Sequence, residues 1–520
     1  MPDLKEREEQ ATTIYVFSLL VGYFPNGVDY AQGYRAGILR KMPCPVRYVF
    51  TELPEKKDVE FYKGLGIREE EMLSVHHFFL DHSVLKRTVK VQEKLEELKR
   101  NLGIKDVDVR GTEIRLMKDG TVAVSLIRNS EDGQYLSAIH YFHQCKLIRT
   151  EVYTDQVAYV DYYVTAKSEH GLYAKRTRRI FCHRDGSPAY EQIFKGDKSW
   201  YLFPDGRVLT KSEFFEEFAK RLYLSDQDII LIDRFAQFDH IQPLFRWKGE
   251  AKTFAVMHAG HYFEKGESAY TVNLNPDYNY LFKYSGMIHK IVVSTRQQKE
   301  DLAEKLSEYH CKLPDIIVIP AGGVDRLQRP DGGRKPYSML SVSRIQAHKK
   351  INWMIESVIK AHQVNENISL DIYGSGSSDY METLQNMVKE QKAQSYIHFM
   401  GHQDVTEVYK NYEVFLTAST FETLGLSILE AVSSGNAVIG LDAKYGSRLL
   451  IRPGINGYLL AVDLEHVDTE EDCLIDDLAE KVLDIFENQK LLEKFQKNSY
   501  KVAGEFFNQI IEKKWEEALS

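Results

Sequence analysis

Ser419-Thr420-Phe421-Glu422-Thr423-Leu424-Gly425-Leu426-Ser427-Ile428-Leu429-Glu430 is the stretch from which the fold is read. The run before it, Val414-Phe415-Leu416-Thr417-Ala418, has the composition of a buried strand. The run after it, Ala431-Val432-Ser433-Ser434-Gly435, ends a helix on glycine. Strand, polar loop and helix in this order form one turn of a parallel α/β sheet. The first turn of the helix offers unpaired N–H groups and a positive dipole end to an anion. Glu422 and Glu430 bracket that turn. A carboxylate on each side of an anion site suits a ligand that is part phosphate and part polyol, so a nucleotide-sugar is the expected ligand.

The pattern extends on both sides. Strands are predicted at 338–343, 369–373, 396–400, 414–418 and 437–441, with helices at 352–363, 379–391, 405–409 and 426–434 between them. Regular alternation at this spacing implies a parallel sheet covered on both faces. Ligands of such sheets lie beyond the carboxyl ends of the strands. Four features fall there in order: Arg344 and Lys349 after the first strand, Gly374 in Tyr373-Gly374-Ser375-Gly376 after the second, Gly401-His402 after the third, and 422–430 after the fourth. Arginine brings a planar fork to a diphosphate and lysine a mobile point charge. Taken alone, the Arg344–Lys349 loop reads more readily as a solvated basic loop and the Gly374 turn as a plain tight turn; the weight lies in all four features sharing one edge.

An earlier α/β block is interrupted. Ile14-Tyr15-Val16-Phe17-Ser18-Leu19-Leu20 reads as a strand, Tyr23-Phe24-Pro25-Asn26-Gly27 as a turn, 28–39 as a helix and 45–50 as a second strand. From 106 to 208, short β-branched and aromatic runs alternate with turn signals such as Asp119-Gly120, Asp132-Gly133 and Asp185-Gly186. This predicts an inserted antiparallel sheet. Strands resume at 228–232, 253–257, 290–294 and 316–319, and Met257-His258-Ala259-Gly260-His261 ends one of them. Two histidines at a strand's carboxyl end make His258 a cleft candidate. The segment 235–245 also follows a strand, and its Phe238, Pro243 and Leu244 are expected to limit room around the sugar. The resulting division is a first Rossmann-like domain over 1–55 and 211–325, a β-rich insertion over 56–210, a second Rossmann-like domain over 326–505, and a helix over 506–520 returning to the first domain.

Bulk properties narrow the function. The 520 residues are 43% hydrophobic and 28% charged, with a net charge of −9, which opposes a general nucleic-acid binder. Five scattered cysteines without a CxxC favour reduced thiols over disulfides or zinc. The acidic, polar start is not a signal peptide, so a cytoplasmic protein with at most peripheral membrane contact is expected.

Together the Glu-x7-Glu of Glu422 and Glu430, the Arg-x4-Lys of Arg344 and Lys349 and the Gly27 loop resemble the retaining glycosyltransferases of the GT-B fold, family 4. Gly27-Val28-Asp29-Tyr30-Ala31-Gln32-Gly33-Tyr34-Arg35-Ala36, Asp185-Gly186-Ser187-Pro188-Ala189-Tyr190-Glu191, Gly401-His402-Gln403-Asp404-Val405-Thr406-Glu407-Val408-Tyr409 and Asn456-Gly457-Tyr458-Leu459 are similar to the A subunit of the accessory-secretion protein O-glycosyltransferases, which start glycosylation of serine-rich repeat adhesins. Phe421-Glu422-Thr423-Leu424-Gly425 departs from the family's usual Glu-Gly-Phe-Gly.

The resemblance implies an α/β GT-B fold, two Rossmann-like domains facing a cleft with an antiparallel sheet inserted in the first. It implies transfer of GlcNAc, or glucose, from a UDP-sugar to Ser/Thr, with no metal or other cofactor. Arg344 and Lys349 are then expected on the diphosphate and His258 near the reacting carbon. Glu422, with the backbone of Thr423, Leu424, Gly425 and Leu426, is expected on donor-sugar hydroxyls and a phosphate, and Glu430 on the ribose. Gly27, Gly374, Gly401 and His402 would line the nucleotide. Two rival readings are a transferase acting on ribitol-phosphate wall polymer and a non-catalytic acceptor-binding subunit; retention of Glu422, Arg344 and Lys349 argues against the second. Expected partners are the UDP-sugar, a Ser/Thr-rich acceptor protein, and a B-type subunit or further copies (dimer to tetramer) held through the β insertion.

Overall fold

The computed structural model describes residues 12–18, 27–82, 87–129, 133–169, 171–235, 241–268, 271–308, 312, 314–463 and 471–520. The end of the predicted first strand (19–20), the predicted turn at 23–27 (Gly27 apart), Phe238 and Cys311 lie outside these residues.

Two parallel sheets carry the molecule. The first has seven strands in the order Asp315–Val318, Lys290–Val293, Lys252–Val256, Ile229–Ile232, Ile14–Ser18, Val46–Phe50, Met72–Ser74. Its central strand reads as one apolar run because both faces are covered. Tyr15 and Phe17 enter one core with Ile230, Ile232 and Ala255, while Ile14 and Val16 enter another with Ile229, Leu231 and Phe254. The second sheet has six strands, Ile397–Gly401, Ser369–Tyr373, Ser338–Val342, Val414–Thr417, Ala437–Leu441 and Gly457–Leu460. The same alternation recurs: Val414 and Leu416 pack to one side, Phe415 and Val438 to the other.

The insertion is a ten-stranded antiparallel meander from Asp106–Arg110 to Val208–Thr210, each strand paired with its neighbours in sequence. Helix Val91–Leu102 places Val91, Leu95 and Leu98 on one side, over Leu116, Val124, Leu126 and Ile139. At the other end of the sheet, aromatic rings seal the joint to the first domain. Tyr201 stacks on Phe214 at 4.0 Å and Phe181 on Tyr190 at 4.4 Å, with His76 stacked on Phe181. Several aromatic residues of the inserted region therefore fill a joint.

Three expectations need correcting. The inserted unit does not begin at 56. Helix Lys56–Gly64 buries Tyr62 in the first domain, and Met72–Ser74 pairs in parallel with Val46–Phe50 as that sheet's edge strand. The charged run Glu69-Glu70-Glu71 directly before a three-residue strand hid it. The segment 405–409 is turns leading to a short 3-10 helix, Tyr409–Asn411, rather than an α-helix. Pro243 and Leu244 lie inside helix Ile241–Trp247 and are buried, Leu244 in the core, so they do not line the cleft.

The chain crosses between the domains twice. Val324 bridges to Phe507, and helix Asn508–Leu519 then lays Ile511, Trp515 and Ala518 on the first domain's core. Lys290 Nζ donates to the Ala518 carbonyl at 2.6 Å and Lys41 pairs with Glu512 at 2.6 Å, fastening the helix there. Among the described residues, no helix is long and apolar enough to cross a membrane.

Candidate active site

Strand order fixes where a ligand can sit. In the second sheet the order reverses between Ser338–Val342 and Val414–Thr417, which opens a crevice between the loops that follow them. Those loops carry 344–349 and 419–426. Lys349 Nζ spans the crevice to Glu422 Oε1 at 2.6 Å and to Ser419 Oγ at 3.3 Å. Both charged side chains are about 15% exposed (15% and 14%), so the pair is shielded yet reachable from the cleft. Thr420 N and its hydroxyl both donate to the His348 carbonyl at 3.2 Å, which ties the two loops together. Arg344 is exposed and, among the described residues, has no ion-pair partner.

The glycines divide into two kinds. Gly374 has φ +137°, and a Cβ there would lie 1.8 Å from the Ser343 carbonyl oxygen. A Cβ on Gly376 would lie 2.1 Å from the Ile345 carbonyl oxygen, and Ile345 N donates to Ser375 O at 2.9 Å. These two glycines let the second loop press on the loop that bears Arg344. Gly374 thus has a packing role that its assignment to ligand contact alone missed. Gly425 is left-handed at φ +80° and opens helix Leu426–Ser433 without a side-chain cap, leaving the first-turn amides to other partners. Gly401 is also left-handed, at φ +73°, and His402 beside it is exposed. Gly27, by contrast, is the exposed first residue of helix Gly27–Leu39 with open space around it, so nothing among the described residues requires glycine there.

The first domain meets this site from its own reversal point, between Ile14–Ser18 and Ile229–Ile232. Asp233 follows the latter strand. His258, at the end of the neighbouring one, directs Nε2 to Asp233 Oδ1 at 2.8 Å, and Asp233 Oδ2 accepts from Gln32 at 2.8 Å and from the Arg35 guanidinium. Burial alone would raise the Asp233 carboxyl; Arg35 and His258 outweigh it and hold the group well below the ordinary carboxylate range. The two domains touch here. Thr423 Oγ1 donates to the His258 carbonyl at 2.9 Å, and the Phe421 ring covers Gly260 so closely that a Cβ would meet it at 2.9 Å.

Glu430 is also engaged across the cleft. Its two oxygens accept from Tyr34 of the first domain at 2.9 Å and from Tyr409 of the second at 2.8 Å. Burial raises the Glu430 carboxyl, and the two phenol hydrogen bonds oppose that rise. Arg344, Lys349, Glu422, Thr423, Gly425, Glu430 and His258 therefore gather around one cleft. Sequence reasoning missed Asp233, Tyr34 and Tyr409 as members. Asp233 was detectable, since it directly follows an apolar strand of the first sheet; the tyrosines lie in stretches that carry the family resemblance, but nothing in those stretches marks them as partners of Glu430. Among the described residues, no group of three or more His, Cys, Asp or Glu is placed to hold a metal ion.

Comparison with known proteins agrees with this architecture. Residues 326–502 match the model of glycosyl transferases group 1, and residues 106–205 match that of the GtfA extended beta-sheet domain. The chain is 32% identical over 519 residues, 98% of each chain, to the UDP-N-acetylglucosamine–peptide N-acetylglucosaminyltransferase GtfA subunit of Streptococcus gordonii. This chain belongs to the GtfA-subunit family of glycosyltransferases. The GtfA subunit of Streptococcus pneumoniae serotype 4 is 31% identical over 98% of this chain and 99% of its own. The pneumococcal O-GlcNAc transferase GtfA, solved in complex with UDP and GlcNAc, superposes with a TM-score of 0.87 at 29% identity, covering 98% of both chains. TarM, at 17% identity and a TM-score of 0.77, shares the fold. The fold is GT-B, with the antiparallel sheet inserted in the first domain, and the candidate site lies where the loops of this GtfA-type chain's two parallel-sheet domains meet.

Proposed function

We propose that the protein transfers N-acetylglucosamine from UDP-N-acetylglucosamine to serine or threonine hydroxyls of an acceptor protein, with retention at the anomeric carbon. The observation that carries the reading is the meeting of the Lys349–Glu422 pair with His258 of the other domain, through the 2.9 Å bond from Thr423 to the His258 carbonyl. Near-full-length kinship with subunits that bear this activity in their names supports it and favours GlcNAc over glucose.

In this scheme the acceptor hydroxyl oxygen attacks the anomeric carbon on the face that the diphosphate leaves. The bond from that carbon to the β-phosphate oxygen breaks, the phosphate oxygen takes the hydroxyl proton, and UDP departs. Arg344 and Lys349 stabilise the charge that grows on the diphosphate, which needs no metal. Glu422 holds sugar hydroxyls while also fixing Lys349. The amides of Thr423, Leu424, Gly425 and Leu426 face a phosphate, Glu430 takes the ribose, and Gly401 with His402 borders the base. Gly27 borders the phosphates from the first domain. The domain contacts at Thr423 and Phe421 exclude water from the reacting atoms.

The acceptor is a serine-rich protein met in the cytoplasm, and a B-type partner subunit completes the assembly. A GtfA/B complex has been solved for a relative 31% identical over 98% of this chain. The surface that suits the partner is the arm formed by Val157–Ser168 and Gly171–Cys182, whose outer halves extend beyond the strands on either side. Tyr173 and Val164 share one face of that arm, about half exposed (47% and 50%).

The test is incubation of the protein, alone and with its partner subunit, with UDP-GlcNAc and a serine-rich acceptor, followed by peptide mass. A gain of one N-acetylhexosamine per site is expected. No gain with the partner present would overturn the reading.

A further inference from the structure

His258 is held at every backbone and ring position but one. Its N–H donates to the Tyr278 hydroxyl at 3.1 Å, its carbonyl accepts from Thr423 at 2.9 Å, and its Nε2 lies 2.8 Å from Asp233 Oδ1. The remaining ring atom, Nδ1, has no partner among the described residues. Asp233 is itself over-determined. It is 3% exposed, and its other oxygen accepts from Gln32, which is tied in turn to Ser18, and from Arg35. A carboxylate with donors on both oxygens can only accept, so Nε2 must carry a proton, and in the neutral imidazole Nδ1 presents a lone pair.

We infer that Asp233 is a positioning residue for transfer: it locks His258 in the Nε2–H tautomer, so that Nδ1 accepts a hydrogen bond from a hydroxyl of the sugar being transferred. This rests on the reading of His258 as a donor-sugar contact and adds the device that makes the contact directional. Arg35 and Gln32 matter because they remove the freedom Asp233 would otherwise have to rotate. The same donors make one substitution unusually informative. In Asp233→Asn the amide oxygen is claimed by the Arg35 guanidinium, an obligate donor, and by the Gln32 amide N–H. The amide NH2 must then face Nε2, which forces His258 into the opposite tautomer with Nδ1–H. A sugar hydroxyl meets a donor where it had an acceptor, while shape and volume are unchanged.

The experiment pairs a spectroscopic reading of the unaltered protein with kinetics of two variants. Nitrogen NMR of the wild-type protein, with the His258 signal assigned by its loss in His258→Ala, is expected to show Nε2 protonated and Nδ1 bare. The opposite tautomer overturns the inference whatever the variants do. Asp233→Asn is expected to lower kcat for GlcNAc transfer on the order of 100-fold, the scale for losing one directed hydrogen bond in a transition state, with the affinity for UDP alone unchanged. Retained UDP affinity also reports that the variant is folded. If His258→Ala keeps full transfer, the sugar-contact reading fails and the inference with it. If His258→Ala loses transfer while Asp233→Asn keeps it, the reading stands and only the inference is overturned.

Discussion

Tyr34 in the first domain donates its hydroxyl to Glu430 in the second at 2.9 Å, so the carboxylate proposed for the ribose already holds the two domains together. A ribose diol that uses both carboxylate oxygens must share or displace this bond and that of Tyr409. Removing the first-domain donor removes part of that competition. Tyr34→Phe is expected to tighten UDP binding by a few-fold, on the order of 1 kcal/mol for one hydrogen bond no longer exchanged, as read by calorimetry. Glu430→Gln should weaken UDP binding.

The same carboxyl sets a pH dependence. Burial raises Glu430, so the folded chain holds that proton more tightly than the unfolded chain does. Stability without ligand therefore falls as pH rises from the ordinary carboxylate range through the raised value, and the loss is complete above it. Glu430→Gln should flatten this part of the melting-temperature profile. An unchanged profile would place the pH dependence elsewhere.

Lys349 and Glu422 make a sharper case, because each serves the ligand and the other. Glu422→Ala is expected to abolish measurable transfer and to lower stability by roughly 1–3 kcal/mol, since it strands a largely shielded lysine. Exchanging the pair, Lys349→Glu with Glu422→Lys, should recover stability but not activity. Recovery of transfer in the exchanged protein, followed by UDP release, would show that the pair is structural only.

Two glycines named on the same grounds should behave oppositely. Gly374→Ala combines φ +137° with a Cβ 1.8 Å from a backbone oxygen, and should cost on the order of 3 kcal/mol or more. Gly27→Ala meets open space at the start of a helix and should be neutral or slightly stabilising, within about 1 kcal/mol. Thermal melts of the two variants separate them, and equal losses would refute the distinction.

Much of this contrast lies beyond sequence reading. The second domain was legible because its strands are apolar on both faces and its ligand loops follow neighbouring strands, so Arg344, Lys349, Glu422 and Glu430 could be gathered from chain order alone. Three kinds of feature were hidden. Met72–Ser74 is too short to show a period and follows three glutamates. Gly374 and Gly27 look alike in sequence, and only the approach of Ser343 tells them apart. Tyr34 and Asp233 act through partners 396 and 25 residues away, and no local pattern encodes such pairs.

The projecting arm of the inserted sheet offers a last test, independent of the cleft. Tyr173 pairs with Ala166 and Lys175 with Val164, so Tyr173 and Val164 stand on one face of a two-stranded arm that, among the described residues, has no third strand beside it. An isolated hairpin in water is marginal, and exposed apolar side chains at its end favour an arm covered by a partner. Tyr173→Asp with Val164→Asp places two negative charges on that face of the inserted sheet, whereas Lys349 and Glu422 belong to loops of the second domain. Association with the partner subunit should weaken at least 100-fold by sedimentation or surface binding, because two desolvated charges in an interface cost several kcal/mol. UDP affinity should be unchanged, which separates a lost partner from a damaged cleft. Undiminished association would move the partner to another face of the sheet, and a parallel loss of UDP affinity would mean that the arm supports the fold of the first domain.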